Sequence, residues 1–94
     1  MNFYVYLIIT KRLNRYITYV GYTNNIDKRI NLHNSSKGAK FTKGRKWSLI
    51  FQKKFPTKEI AMKEEYKLKK NYKLRRYLKN KYLKKNENIN FTTL

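Results

Sequence analysis

Arg29 and His33 stand four residues apart, and helix-start signals precede them: Asn24 and Asn25 are good caps, and Asp27 would sit in the first turn. A short helix running to about His33 would project both side chains from one face, a fixed cation beside a proton carrier. His33 is the single histidine of the chain. An arginine can neutralise charge that builds on a phosphate, and a neutral imidazole can accept or pass on a proton. The same pair equally suits a solvated basic helix end with His33 at its C-terminus.

The chain has five acidic residues, Asp27, Glu59, Glu64, Glu65 and Glu87. They are too few and too scattered for a two-metal centre, which needs several carboxylates converging on ions about 4 Å apart. A single Mg²⁺ that keeps most of its waters needs only one or two protein ligands. Ala61, Glu65, Leu68 and Tyr72 share one stripe of a helix, so Glu65 interrupts an inward face and should have a cation or a metal as partner. A structural ion pair with a lysine fits that spacing as well as a functional carboxylate does. Glu64 reads as solvated. Tyr6 and Tyr19 fall on two neighbouring β-rich runs and can share a face. Buried tyrosines are ordinarily core residues or stacking platforms.

The elements that must position these groups follow from periodicity. Asn2–Thr10 alternates, with Phe3, Val5, Leu7 and Ile9 on one side and Tyr4, Tyr6 and Ile8 on the other. Tyr16–Thr23 is a second strand, joined to the first as an antiparallel hairpin through Lys11–Arg15. Asn34–Lys46 reads as an exposed basic loop carrying Lys37, Lys40, Lys43, Arg45 and Lys46, the candidate nucleic-acid-binding residues. Trp47–Phe55 is a third strand, with Trp47, Leu49 and Phe51 alternating, and Pro56 stops it. Thr57 caps a helix through about Lys70, and a further basic helix covers Tyr72–Leu83. Residues 84–94 are a polar tail expected to be loose.

At 94 residues there is room for one domain, taken as residues 1–83. Its 24 Lys and Arg give a formal charge of +19, which calls for a polyanionic partner, with nucleic acid ahead of an anionic membrane. No apolar run reaches the roughly 18 residues of a spanning helix. Without cysteine there is neither a disulfide framework nor a zinc finger, and nothing at the N-terminus resembles a signal peptide. An intracellular, cytoplasmic location and a monomer are the default expectations.

Taken in order, these residues resemble the GIY-YIG nuclease family. The first signature appears as Tyr4-Val5-Tyr6, with tyrosine in place of its first glycine, and the second as Tyr19-Val20-Gly21. YVGYTNNIDKRINLHN, from Tyr19 to Asn34, is similar to the family's run of YVG, Thr, helix, Arg and a His or Tyr four residues later. SSKGAKFTKGR from Ser35 and AMKEEYKLKK from Ala61 resemble the small stand-alone bacterial branch. The resemblance covers Phe3–Lys70.

It implies an α+β fold, a three-stranded antiparallel sheet flanked by helices, with Tyr6, Tyr19, Arg29, His33 and Glu65 as catalytic residues and Glu65 holding Mg²⁺ (or Mn²⁺). The activity implied is phosphodiester hydrolysis in DNA, structure- or strand-selective and of a repair or recombination type, with water activated by a tyrosine or His33. A phenol near pKa 10 is a poor base at pH 7, so Arg29 and the metal must lower it or relay protons around it. Asn71 and Asn80 are candidates for a polar residue that some members use late in the domain. The rival reading is a non-catalytic nucleic-acid-binding module of the same fold. A basic architectural or ribosome-associated protein would need none of the five.

Overall fold

The computed structural model describes the backbone of residues 1–93 and the side chains of residues 1–85. Strands β1 (Phe3–Arg12), β2 (Arg15–Thr23) and β3 (Ser48–Phe55) form one antiparallel sheet in the order β2-β1-β3. Helices α1 (Ile26–Asn34), α2 (Lys58–Lys70) and α3 (Tyr72–Thr93) complete the expected α+β architecture. The backbone of α3 therefore continues past Leu83, and the tail expected over residues 84–94 lies almost wholly outside the described side chains.

β1 takes the central place because it is apolar on both sides: Val5 to Thr10 are all buried, as a strand covered on two faces requires. Its two faces feed two separate cores. Val5 and Leu7 pack with Val20 and with Ala61 and Leu68 of α2. Tyr6 and Ile8 pack with Trp47 on the other face, against Tyr19, Leu49 and the α1 residues Ile26 and Ile30. The alternation of β1 is thus as expected. That of β3 is not, because Leu7 pairs with Phe51 while Ile8 pairs with Leu49. The bulge inserts Ile50 and switches faces, sending Phe51 to the α2 side while Trp47 and Leu49 stay on the Tyr6 side.

Local chemistry sets the helix starts. The Asn25 side chain accepts a hydrogen bond from the Lys28 backbone at 3.1 Å and begins α1; the Thr57 hydroxyl accepts from Ile60 at 3.2 Å and begins α2. Asn71 breaks the helical run and caps α3, its side chain accepting from Leu74 at 3.1 Å. That break explains why Tyr72, expected on the inward stripe with Ala61, Glu65 and Leu68, is instead 63% exposed.

Leu68 is the large side chain of α2 inside the core, so Leu68→Ala should lower stability by roughly 2–5 kcal/mol. Urea unfolding with an unchanged m-value would show it, and a loss under about 1 kcal/mol would mean that α2 is not held by this contact.

Candidate active site

Tyr6 and Tyr19 project from the same face of the sheet, where β1 pairs Tyr6 with Gly21 and Ile8 with Tyr19. Gly21 is required by the space above it. A Cβ there would run into the Tyr6 phenol, so the ring can lie across the strand only because position 21 carries no side chain. α1 then delivers Arg29 and His33 to the end of that ring, as their spacing predicts.

The three groups are hydrogen-bonded. The Tyr6 hydroxyl lies 2.7 Å from His33 Nε2, and Arg29 Nε donates to it at 3.4 Å. His33 Nδ1 lies 2.8 Å from the Thr42 hydroxyl, and Tyr19 meets the imidazole edge-on at 5.4 Å. Tyr6, His33 and Thr42 are all fully buried, and among the described residues no buried side-chain polar atom is left without a partner.

Thr42 comes from the segment expected to be a plain exposed loop. Lys37, Lys40, Lys43 and Lys46 are indeed exposed, but the backbone between them folds back over His33. A 3₁₀ turn at Lys40–Thr42 buries Thr42, and the indole N–H of Trp47 donates to the Thr42 carbonyl at 3.0 Å. Asn34 holds the far end of the segment through Trp47, accepting from its backbone N–H at 2.6 Å. Arg45 is half-buried, lies over the Phe41 ring and donates to the Phe41 carbonyl at 3.3 Å. Phe41 in turn stacks on Tyr19.

Tyr6, Tyr19, Arg29 and Glu65 line one open cavity of about 640 Å³, together with Lys58 and Asn24. Glu65 reaches it from α2, on the opposite side of the sheet, with 17% of its side chain exposed and Lys69 Nζ at 3.4 Å. The structure thus draws the five candidate residues together, four on the cavity wall and His33 directly behind Tyr6. The five basic loop residues do not line it, and Lys58 does. Asn71 and Asn80 also lie away from it, Asn71 occupied as a helix cap.

Burial moves both titratable groups toward their neutral forms. It lowers His33 to about 4, with the charge of Arg29 adding to the effect. Burial raises the Tyr6 phenol, and it outweighs the opposing hydrogen bond and charge of Arg29; Tyr19 and Glu65 raise it further. Arg29 thus acts to lower the phenol, as expected, but by itself does not offset burial. At neutral pH the pair is a protonated phenol beside a neutral imidazole, an arrangement suited to passing a proton rather than to a standing phenolate.

No cluster of three or more metal-ligating side chains occurs among the described residues. Glu65 stands alone on the cavity wall as a carboxylate, a donor set that fits a hard cation retaining most of its waters. Lys69, about half exposed, is a weak competitor for it. Residue type and spacing do not single out Gly21, Thr42 or Gly38 as site residues, although a Cβ at Gly38 would come within 2.5 Å of His33 Nδ1. Gly21 had a signal in its tripeptide; Thr42, a threonine among lysines, had none.

The small antiparallel sheet joins a tyrosine, a histidine and an arginine on one face, with a carboxylate brought around from the other. The GIY-YIG catalytic domain matches residues 2–88, and the chain belongs to that family. The chain is 43% identical over 65 residues to the UPF0213 protein OB0043 of Oceanobacillus iheyensis, covering 68% of this chain and 72% of the relative. It is 46% identical over 67 residues to the UPF0213 protein BH0048 of Halalkalibacterium halodurans, covering 70% of this chain and 68% of that one. The solution NMR structure of BH0048, given as from Bacillus halodurans, covers 73% of this chain and 71% of its own at a TM-score of 0.39, a superposition too loose to bear on the fold. Among the described residues no helix is long and apolar enough to cross a membrane.

Two outcomes follow. His33 is neutral when folded but has an ordinary value near 6.5 when unfolded, so acidification protonates the unfolded chain first. Stability should be fully present above about pH 6.5 and fall as pH drops toward 4, by up to about 3 kcal/mol. Thermal melts across that window, with a His33→Gln chain that lacks this component of the slope, would check it. Gly21→Ala should displace the Tyr6 ring, seen as a shift of the Tyr6 and His33 side-chain resonances, because the new methyl occupies the phenol's place.

Proposed function

We propose that this chain is a metal-dependent endonuclease that hydrolyses phosphodiester bonds in DNA. The observation that carries the reading is the Tyr6 hydroxyl, held between His33 Nε2 and Arg29 Nε at the wall of a cavity that Glu65 also lines. A core tyrosine needs one hydrogen-bond partner; this one, though buried, has a proton acceptor behind it, a cation beside it and a place in the lining of the cavity that Glu65 reaches.

The chemistry follows from that placement. A water in the cavity attacks phosphorus as it gives a proton to the Tyr6 oxygen, and Tyr6 passes its own phenolic proton to His33 Nε2. The neutral imidazole becomes an imidazolium, the phenol ends as it began, and the bond from phosphorus to the leaving oxygen breaks, that oxygen taking a proton from solvent. Arg29 offsets the charge that grows on the phosphoryl oxygens. Glu65 is the group that would hold Mg²⁺ or Mn²⁺, and the bound cation supplies Lewis-acid polarisation of the phosphate. A buried His33 lowered to about 4 is neutral at working pH and free to accept, but it is a weak base, so the relay operates transiently while the phosphate charge develops.

The substrate is DNA that presents unpaired or branched backbone. One small cavity and a surface carrying Lys37, Lys40, Lys43 and Lys46 offer sequence-independent attraction to phosphate. This substrate class suits a repair or recombination setting.

Labelled forked, single-stranded and duplex DNA, incubated with Mg²⁺ or EDTA, provides the test. The wild-type chain should cut the forked or single-stranded DNA in a metal-dependent manner, and Glu65→Ala should reduce the rate by at least about 10²-fold, as expected on loss of a charge-stabilising group. Binding without cutting in every lane would leave the non-catalytic module as the function, and equal cutting of random duplex would sink the selectivity.

A further inference from the structure

Thr42 is a fully buried threonine in a segment whose lysines are exposed, and its hydroxyl touches two acceptor-capable atoms. It lies 2.8 Å from the Ala39 carbonyl oxygen and 2.8 Å from His33 Nδ1. A hydroxyl has one hydrogen to give. The carbonyl has none, so the short oxygen–oxygen contact requires the threonine hydrogen to lie on that line; the alternative sets two lone pairs against each other. Thr42 therefore faces His33 as an acceptor, and the hydrogen between them belongs to Nδ1. A neutral imidazole carries one ring hydrogen, which leaves Nε2 bare, 2.7 Å from the Tyr6 oxygen.

We propose that Thr42 is a positioning residue: its hydroxyl, aimed by the Ala39 carbonyl, locks His33 as the Nδ1–H tautomer, so that Nε2 is always the acceptor of the Tyr6 proton. This deepens, and rests on, the reading of Tyr6 and His33 as a proton relay. The lock is rigid because Thr42 is held three ways. Its backbone N–H also donates to Ala39 at 3.1 Å, its carbonyl accepts from Trp47, and its side chain is sealed in the interior. Without the hydroxyl, Nδ1–H would be a buried donor with no partner, and the imidazole would move its hydrogen to Nε2 and donate to Tyr6 instead. In that tautomer the relay has no acceptor.

His33 is the single histidine, so one imidazole spin system reports the tautomer without assignment ambiguity. Nitrogen-15 NMR of the whole chain near pH 7 should show a protonated Nδ1 and an unprotonated Nε2; an Nε2–H tautomer or an imidazolium would overturn the proposal. Thr42→Val keeps the side-chain shape and removes the acceptor, and it should populate the Nε2–H form. Its cleavage of forked DNA should slow by about 10- to 100-fold, as outer partners of functional histidines do, in kcat rather than KM. Thr42→Ser should restore both tautomer and rate. A folded Thr42→Val chain that keeps Nδ1–H, or a Thr42→Ser chain as impaired as Thr42→Val, would end the proposal. If Thr42→Val does not fold, the wild-type spectrum and Thr42→Ser still decide. A wild-type chain with the Nδ1–H tautomer and no nuclease activity would remove the nuclease reading and leave the tautomer assignment standing.

Discussion

The hydrogen bond between Tyr6 and His33 is the constraint around which one face of this domain is arranged. It places two polar groups, both without solvent exposure, in the middle of an otherwise apolar layer made by Ile8, Trp47, Ile17 and Leu49. Such a pair is tolerable only if every remaining donor and acceptor is also satisfied, because an unpaired polar group at that depth costs about 1–3 kcal/mol. Much of the neighbouring structure meets that demand. Arg29 occupies the phenol from α1, Thr42 occupies Nδ1 from the 3₁₀ turn, the Ala39 carbonyl takes the threonine hydrogen, and Trp47 closes the turn through its indole. Two glycines belong to the same arrangement, since Gly21 gives room to the phenol and Gly38 to the imidazole.

A second demand comes from charge. With a formal +19, Arg29 sits beside a histidine that must stay neutral. Burial does this by disfavouring the imidazolium, and the adjacent guanidinium disfavours it further, so the two effects act in one direction. The same guanidinium opposes the effect of burial on the phenol but does not overcome it. One cation thus reinforces the neutrality of one partner and leaves the other protonated. Glu65, the single carboxylate on the cavity wall, is reached from the other side of the sheet, so its negative charge lies beyond the phenol and does not pair with His33.

The sheet makes this possible by being buried on both sides. Because β1 is central and apolar in both directions, α2 can be fixed on one face through Ala61 and Leu68 while α1 and the loop segment close the other. The site forms where the two layers meet, at the edge of β2, where Gly21 lets the Tyr6 ring cross toward the carboxylate. The bulge at Ile50 belongs to the same design, because it keeps Trp47 on the face where its indole is needed while Phe51 serves the opposite core.

The strands, the caps of α1 and α2, and the pairing of Arg29 with His33 were all legible in the residues, because each depends on local rules: alternation, cap chemistry and the four-residue return of a helix. The bulge was not, since one inserted residue changes no composition and only the partner strand fixes the register. Nor was the break at Asn71, where an unbroken helical stripe carried Tyr72 inward on paper and a cap turned it outward. The loop shows the limit most clearly. Its lysines identified it as basic and exposed, and they are, yet Thr42 is buried at its centre by contacts with residues nine positions before it and five after it. Sequence by itself determined which chemical groups the domain possesses and which elements carry them. Only the tertiary structure decided which hydrogens those groups hold, because burial and hydrogen-bond direction are properties of neighbours that the chain brings together from a distance.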